Sequence, residues 1–436
     1  MKKKIVSVLL CVAMAATMLA GCGGKKEEGG DSKDGGKKLV YWSMWSEEEP
    51  QAKVIKEAIE KYQKDTGVTV DVQFKGRNGQ REGLEPALQA KQQIDLFDED
   101  VNRVNGSWGA YLMDLEDLAK DYEGEHGQEV LFKVARNAGG GTLKTIPYQP
   151  SIFGFFYNKA LFAKAGIEAA PTTWAEFDAA CAKLKEAGIT PITGDVTYQT
   201  STLGYHLGRY LGQDGVKALV NDPAIMEKVE AGDVEDVNWD NPTVLKALKD
   251  YEDFAKKGYF SENIAGNVYP DGQNKEFAPG NAAIIICGSW LPNEIKNMAE
   301  EDFEWGYFNY PSVDGGKDDN TANNIACQVF GINKDSKMSK EAMELITYIT
   351  SGEFDSKMTK EALCIPADKA NSEWPAQLAD VKPGFEATAS FYDWAVGAEN
   401  NGDLMAPMQE GFVKLMAGKM TAEELIDECA KICGEK

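Results

Sequence analysis

Histidine is nearly absent: the 436 residues include only two, His126 and His206. A multi-histidine metal centre or a Ser–His–Asp hydrolase is hard to assemble from so few. Positive charge is also scarce. Lys and Arg number 46 against 70 Asp and Glu, a formal net charge of −24. The clustered cations of a nucleic-acid footprint are therefore not expected, and neither is a nucleic-acid partner. An acidic surface favours solubility and identifies no partner by itself. The eight Cys contain no CxxC pair, which argues against structural zinc. No GxxxxGKS/T element is present to cradle a nucleotide phosphate, and no internal repeat stands out. What is there is ample apolar material, 43% hydrophobic residues. At this length it suggests two or three compact units.

The N-terminus sets the compartment. Lys2, Lys3 and Lys4 precede an apolar run from Ile5 to Ala20. That run is shorter than the ~20 residues of a membrane span, and a charged start with an apolar middle marks a secretory signal. It ends in Leu19-Ala20-Gly21-Cys22, which resembles the lipobox of bacterial lipoproteins. The resemblance implies cleavage of residues 1–21 and a diacylglycerol on the Cys22 thiol. The following segment, GGKKEEGGDSKDGGKK, has no apolar side chain to bury. Residues 22–38 are thus expected to form a disordered tether from a lipid anchor at the outer face of the cell membrane. No later apolar run is long enough to span a membrane, the longest being about Ala282–Cys287.

From Leu39 the chain alternates. LVYWSMW reads as a strand, Glu48 to Thr66 as a helix stopped by Gly67, and VTVDVQF as a second strand. A helical stretch, Glu82–Gln92, leads to the strand IDLFDED. Strand–helix–strand order predicts an α/β fold with a mostly parallel sheet. Ligands bind such sheets outside the carboxyl ends of the strands, which places Ser43–Glu49, Lys75–Asn78 and Asp98–Asp100 around one crevice. A second unit is expected from near Tyr148: the strand IFGFFYN, a helix over Lys159–Ala165, and a helix over Thr173–Gly188 capped by Thr173 and Glu176. Further on, AAIIIC reads as a buried strand before Gly288-Ser289-Trp290. Cys181, Cys287 and Cys327 fall inside apolar patterns and read as buried thiols, while Cys429 and Cys433 are spaced to face each other on a helix.

Four blocks in order carry a family resemblance: MWSEEEPQAKVIKEAIEKYQKDTGVTV, YNKALFAKAGIEAAPTTWAEFDAACAKLKEAGITPI, EFAPGNAAIIICGSW and GFVKLMAGKMTAEELIDECAKI. Together they resemble the extracellular solute-binding proteins of ABC importers, in the family with maltose- and oligosaccharide-binding members. The resemblance implies two α/β lobes that hinge shut on a ligand. Residues 39–148 with 325–366 would form lobe one, and 149–324 with 367–436 lobe two. The crossings would lie near Tyr148–Pro150, Asn324–Cys327 and Ile365–Ala370. It also implies an oligosaccharide ligand, ABC permease subunits as partners, a monomer, no cofactor, no metal and no catalysis.

A sugar offers C–H faces for aromatic stacking and hydroxyls for carboxylates, amides and Arg. Trp290 leads the candidates, because it follows the AAIIIC strand at its carboxyl end and the resemblance implies a sugar-stacking aromatic there. Trp45 follows the first strand, with Glu47 on the same turn. Asp98, Glu99 and Asp100 at a strand end are candidates to grip hydroxyls, with Arg77 as a bidentate donor. Tyr148 and Gln149 lie at the first crossing, where the resemblance implies ligand contact, and Tyr198 completes the set. Trp174, Trp305 and His206 read as structural. The acidic strand ends leave a cationic solute such as a polyamine as the rival ligand. With 70 acids, a secreted glycoside hydrolase with a carboxylate pair also remains open.

Overall fold

The structure, a computed structural model, describes residues 38–392 and 402–435. Cys22, the signal segment and all of the tether before Lys38 lie outside the described residues. The strands are β1 (Lys38–Ser43), β2 (Thr69–Phe74), β3 (Leu96–Asp100), β4 (Thr145–Asn158), β5 (Thr190–Thr193), β6 (Ala282–Gly288), β7 (Trp305–Phe308), β8 (Ala322–Ile332) and β9 (Ser390–Tyr392). They form one sheet in the order β2-β1-β3-β8-β4-β6-β5, with β7 also on β4 and β9 on β8. The outer pairs β1–β2, β1–β3 and β5–β6 are parallel. The inner strands β8 and β4 run antiparallel to their principal neighbours. The α/β class expected from the strand–helix alternation is the one observed.

Local sequence explains the elements. Helix α1 (Pro50–Thr66) buries Val54, Ile55, Ala58, Ile59 and Tyr62 along one stripe and stops at Gly67, whose φ is 74°. Helix α2 (Gly76–Gln89) begins earlier than its apolar periodicity indicates, and α3 (Val101–Ser107) follows β3 directly. The helix Trp174–Glu186 carries the expected capping box between Thr173 and Glu176. One core packs α1 and the helices Ser339–Thr350 and Gly352–Ala362 on Tyr41, Leu96 and Phe330. The other runs from Trp42 and Phe97 through Phe156 to Ile284–Ile286.

The sequence reading opens a new unit near Tyr148. There β4 runs from Thr145 to Asn158, longer than the expected strand IFGFFYN, paired to β8 from Thr145 opposite Gly331 to Phe153 opposite Asn324. Its one irregularity is a bulge between Tyr148 and Pro150, where Gln149 takes a φ of 44°. Pro150 has no N–H to offer the ladder, which suits a bulge. The first two expected crossings therefore face each other across one ladder. The third, Ile365–Ala370, is held by Asp355, which accepts Ala367 N at 2.9 Å, and by Gln128, which donates to Pro366 O at 2.6 Å.

The residues read as structural behave so. His206 is buried, bonded to Ala247 O (2.9 Å) and near Tyr310 Oη (3.2 Å), and burial lowers its pKa to about 4. Trp305 donates to Gln377 O at 2.9 Å. Cys181, Cys287, Cys327, Cys364 and Cys429 are buried free thiols, and Cys433 is a half-buried one. Among the described residues no helix is long and apolar enough to cross a membrane.

Candidate functional site

The ends of β1, β2 and β3 are tied together by backbone. Lys75 N donates to Ser43 O (2.8 Å) and Gly76 N to Trp45 O (3.2 Å). The turn from β2 into α2 needs a left-handed residue, and Gly76 supplies it with a φ of 66°. Ser46 N donates to Glu49 Oε2 at 2.7 Å, and Glu49 Oε1 accepts from Arg77 Nη1 at 3.1 Å. The Arg77 guanidinium lies 4.6 Å above the Trp45 ring, and the Lys75 ammonium 3.8 Å from the centre of the Trp42 ring.

Beneath this rim sits a closed polar cluster. Tyr148 donates to Asp98 Oδ2 at 2.5 Å and accepts from Trp45 Nε1 at 2.7 Å. Tyr41 donates to Asp98 Oδ1 at 2.9 Å, and Met44 N approaches the same oxygen at 3.3 Å. Trp45 is only 3% exposed, and Asp98 is fully buried. Burial pushes the Asp98 carboxyl up to about 6, against the pull of these hydrogen bonds. Burial and the Asp98 charge together push the Tyr148 phenol well above its ordinary value.

The three acids of β3 do not act as one group. Side chains alternate faces along a strand, so Asp98 enters the tyrosine cluster while Glu99 turns the other way. Glu99 is 1% exposed and holds Arg81 through Nη2 (2.6 Å) and Nε (3.3 Å). Asp100 caps α3, accepting Asn102 N (3.0 Å) and Arg103 N (3.2 Å). Glu47 is exposed and paired with Lys56 at 2.8 Å. The sequence reading missed Arg81, because the expected helix began at Glu82 and only the observed start of α2 at Gly76 puts Arg77 and Arg81 one turn apart.

A second cluster forms where β6 ends. Gly288 and Ser289 bring Trp290 back against β4, with Ser289 N donating to Ile152 O at 2.9 Å. A Cβ at Gly288 would overlap the Trp290 six-membered ring, so only glycine lets the indole lie there. Trp290 packs 6.4 Å from Phe153 and 5.9 Å from Tyr198, and Tyr198 meets Tyr269 edge-on at 4.8 Å. Trp290 is half-buried, and its indole N–H is enclosed without a hydrogen-bond partner. Gln149 Oε1 and Gln328 Oε1 at the bulge are likewise enclosed and unpaired. Phe153 and Tyr269 were not foreseen, since a Phe in a strand and a Tyr in a loop carry no positional signal.

Strand β4 joins the clusters: Tyr148 belongs to the first, Phe153 to the second, ~16 Å apart at ~3.3 Å per residue. A cavity of about 640 Å³ is lined by other residues, including Trp174, Tyr210 and Asp250. There Asp250 is paired with Lys246 (2.8 Å) and Asp178 with Lys257 (2.7 Å).

Residues 45–353 match the family model described as bacterial extracellular solute-binding protein. The chain is 24% identical over 238 residues to the diacetylchitobiose binding protein of Streptomyces coelicolor, covering 51% of this chain and 46% of that one. It is 24% identical over 307 residues to the sn-glycerol-3-phosphate-binding periplasmic protein of Yersinia pseudotuberculosis, covering 67% and 66%. The matched stretch spans about half the length of most of these curated relatives. Among solved structures, a chitin oligosaccharide binding protein superposes with a TM-score of 0.67 at 23% identity, covering 92% of this chain and 98% of that one.

Proposed function

The chain belongs to the bacterial extracellular solute-binding protein family, and from that premise we propose that it captures an oligosaccharide and delivers it to the permease of an ABC importer. In this reading the two strand-end clusters face the ligand from lobes 39–148 with 325–366 and 149–324 with 367–436, with the Gln149 bulge at the pivot. Cys22 carries the lipid anchor, the residues after it are the leash as far as Lys38, and the protein works as a monomer without catalysis. The sequence reading counts Lys38 in the tether, but it pairs with Thr69 as the first residue of β1. Relatives that bind diacetylchitobiose and chitin oligosaccharide support a carbohydrate ligand.

The observation that carries the reading is Trp290. A half-buried indole at the carboxyl end of β6, backed by Phe153 and Tyr198, offers a stacking face and an N–H with no protein acceptor. The indole N–H groups of Trp42 and Trp239 are also enclosed without partners, and Trp290 differs from them in belonging to a half-buried ring at a strand end, where a ligand can reach its face. Thermal-shift screening against neutral oligosaccharides tests the proposal. At a ligand concentration of about 100 times Kd, linkage adds ~2.7 kcal/mol, a shift of several degrees. Trp290→Ala is expected to weaken binding of the sugar so found by ~2 kcal/mol or more, with an unchanged circular dichroism spectrum. Unchanged affinity would remove Trp290 from the site, and chromatography showing cleaved sugar would replace capture with hydrolysis.

A further inference from the structure

Building on the capture reading above, we infer that the ligand is a carbohydrate bearing an anionic group, held at the strand-end rim by Lys75 and Arg77. The acids at these strand ends leave a cation as the rival ligand on sequence alone. What decides is which charges remain free to meet a ligand. Asp98 is fully buried and accepts from Tyr41, Tyr148 and Met44 N. Glu99 is committed to Arg81, and half-buried Asp100 spends Oδ1 on the first amides of α3. Glu49 uses both oxygens, on Ser46 N and on Arg77. Glu47 faces solvent with Lys56. Of the acids at 47–49 and 98–100, Glu48 alone remains exposed without an ion pair to a described residue.

The cations are differently placed. Lys75 makes no ion pair with any described residue, and its half-buried ammonium rests on the Trp42 ring. Arg77 engages Glu49 through Nη1 only and is 41% exposed, with its guanidinium carbon 4.6 Å from the centre of the Trp45 ring. Lys75 and Arg77 flank Gly76, their Cα atoms within ~7 Å of each other. The positive end of α2 adds to the same field, since that helix has no side-chain cap and no acid in its first turn. A neutral hydroxyl satisfies such donors only in part. A carboxylate or phosphate accepts charge-assisted bonds of roughly twice the strength, and the free edge of an Arg fork matches either anion. A polyamine would instead meet like charge.

The test takes the sugar series that the thermal screen identifies and measures, by titration calorimetry at low ionic strength, three members of equal length: neutral, uronate-bearing and phosphate-bearing. Spermidine is the cationic control. At least one acidic member is expected to bind about tenfold or more tighter than the neutral one. Which of the two does so distinguishes carboxylate from phosphate. In the Lys75→Gln/Arg77→Gln double variant that ratio should fall below about threefold, and Lys75→Arg should retain it. Should the double variant fail to fold, Lys75→Gln alone, at a half-exposed side chain, must still narrow the ratio. Equal or tighter binding of the neutral sugar overturns the inference while leaving oligosaccharide capture intact. Survival of the preference in the double variant, or binding of spermidine instead, also overturns it. If no member of any sugar series binds, the capture reading itself fails.

Discussion

A single hydroxyl, that of Tyr148, joins three buried groups: it donates to Asp98, accepts from Trp45 Nε1, and its ring stacks on Phe330 at 4.4 Å. Replacing it with Phe keeps the stack and strands two polar partners. Tyr148→Phe should therefore destabilise the protein by about 1–3 kcal/mol, read as a lower urea midpoint at unchanged m-value. A shift smaller than the experimental error would mean that neither bond contributes net stability. The same geometry explains why Trp45 and Asp98, both candidates for direct ligand contact, are occupied within the protein: one lends its N–H and the other both its oxygens. The residues on this rim that keep unspent bonding capacity are Lys75 and Arg77.

Where β6 ends, a short sequence does several jobs. Gly288 leaves room for the indole, Ser289 ties the turn to Ile152, and Trp290 closes it. Gly288→Ala should force the Trp290 ring aside. The expected outcome is altered tryptophan fluorescence, a loss of about 1–3 kcal/mol of stability from overpacking, and weaker sugar binding. A variant with parental fluorescence and affinity would show that the turn relaxes without moving the indole. The bulge on β4 acts at the same scale. An extra residue re-aims the strand, so that Tyr148 and Phe153 serve different clusters from one continuous element.

Across the whole molecule, three buried carboxylates, Asp98, Asp195 and Asp355, are each raised to about 6, in every case mainly by burial. A pKa higher in the folded state than in the unfolded one means that the native state binds protons more tightly. The stabilisation is complete below the unfolded value of ~3.8 and is lost as pH rises through about 6. Each shift of about two units corresponds to ~3 kcal/mol at most. The melting temperature should therefore rise by several degrees between pH 7.5 and 5, and relief of repulsion in a chain of net charge −24 acts in the same direction. Carboxylates held low by partners, such as Glu116 beside Arg136, act only at lower pH. Buried His206, held at about 4, opposes the trend below about 6.5, by ~2 kcal/mol at pH 5, less than the three carboxylates contribute together. Calorimetry showing a flat or falling melting temperature over that range would mean that the three sites are better hydrated than their burial indicates.

Much of this protein is written locally. The apolar stripe of α1, the Gly67 stop, the Thr173–Glu176 capping box and the strand that delivers Trp290 are short-range patterns, and local sterics and hydrogen bonding decide them. The family follows from the same blocks, because their order survives in one dimension. The extent of β4 was not legible, since Thr145–Pro150 becomes strand only by pairing with β8 far along the chain. Nor was the fate of the acids. Asp98, Glu99 and Asp100 are neighbours in sequence and read as one negative patch. Strand alternation, a helix start and Arg81 separate them and neutralise what they offer. Which charges face a ligand depends on partners brought from elsewhere in the chain, and only the tertiary structure assigns those partners.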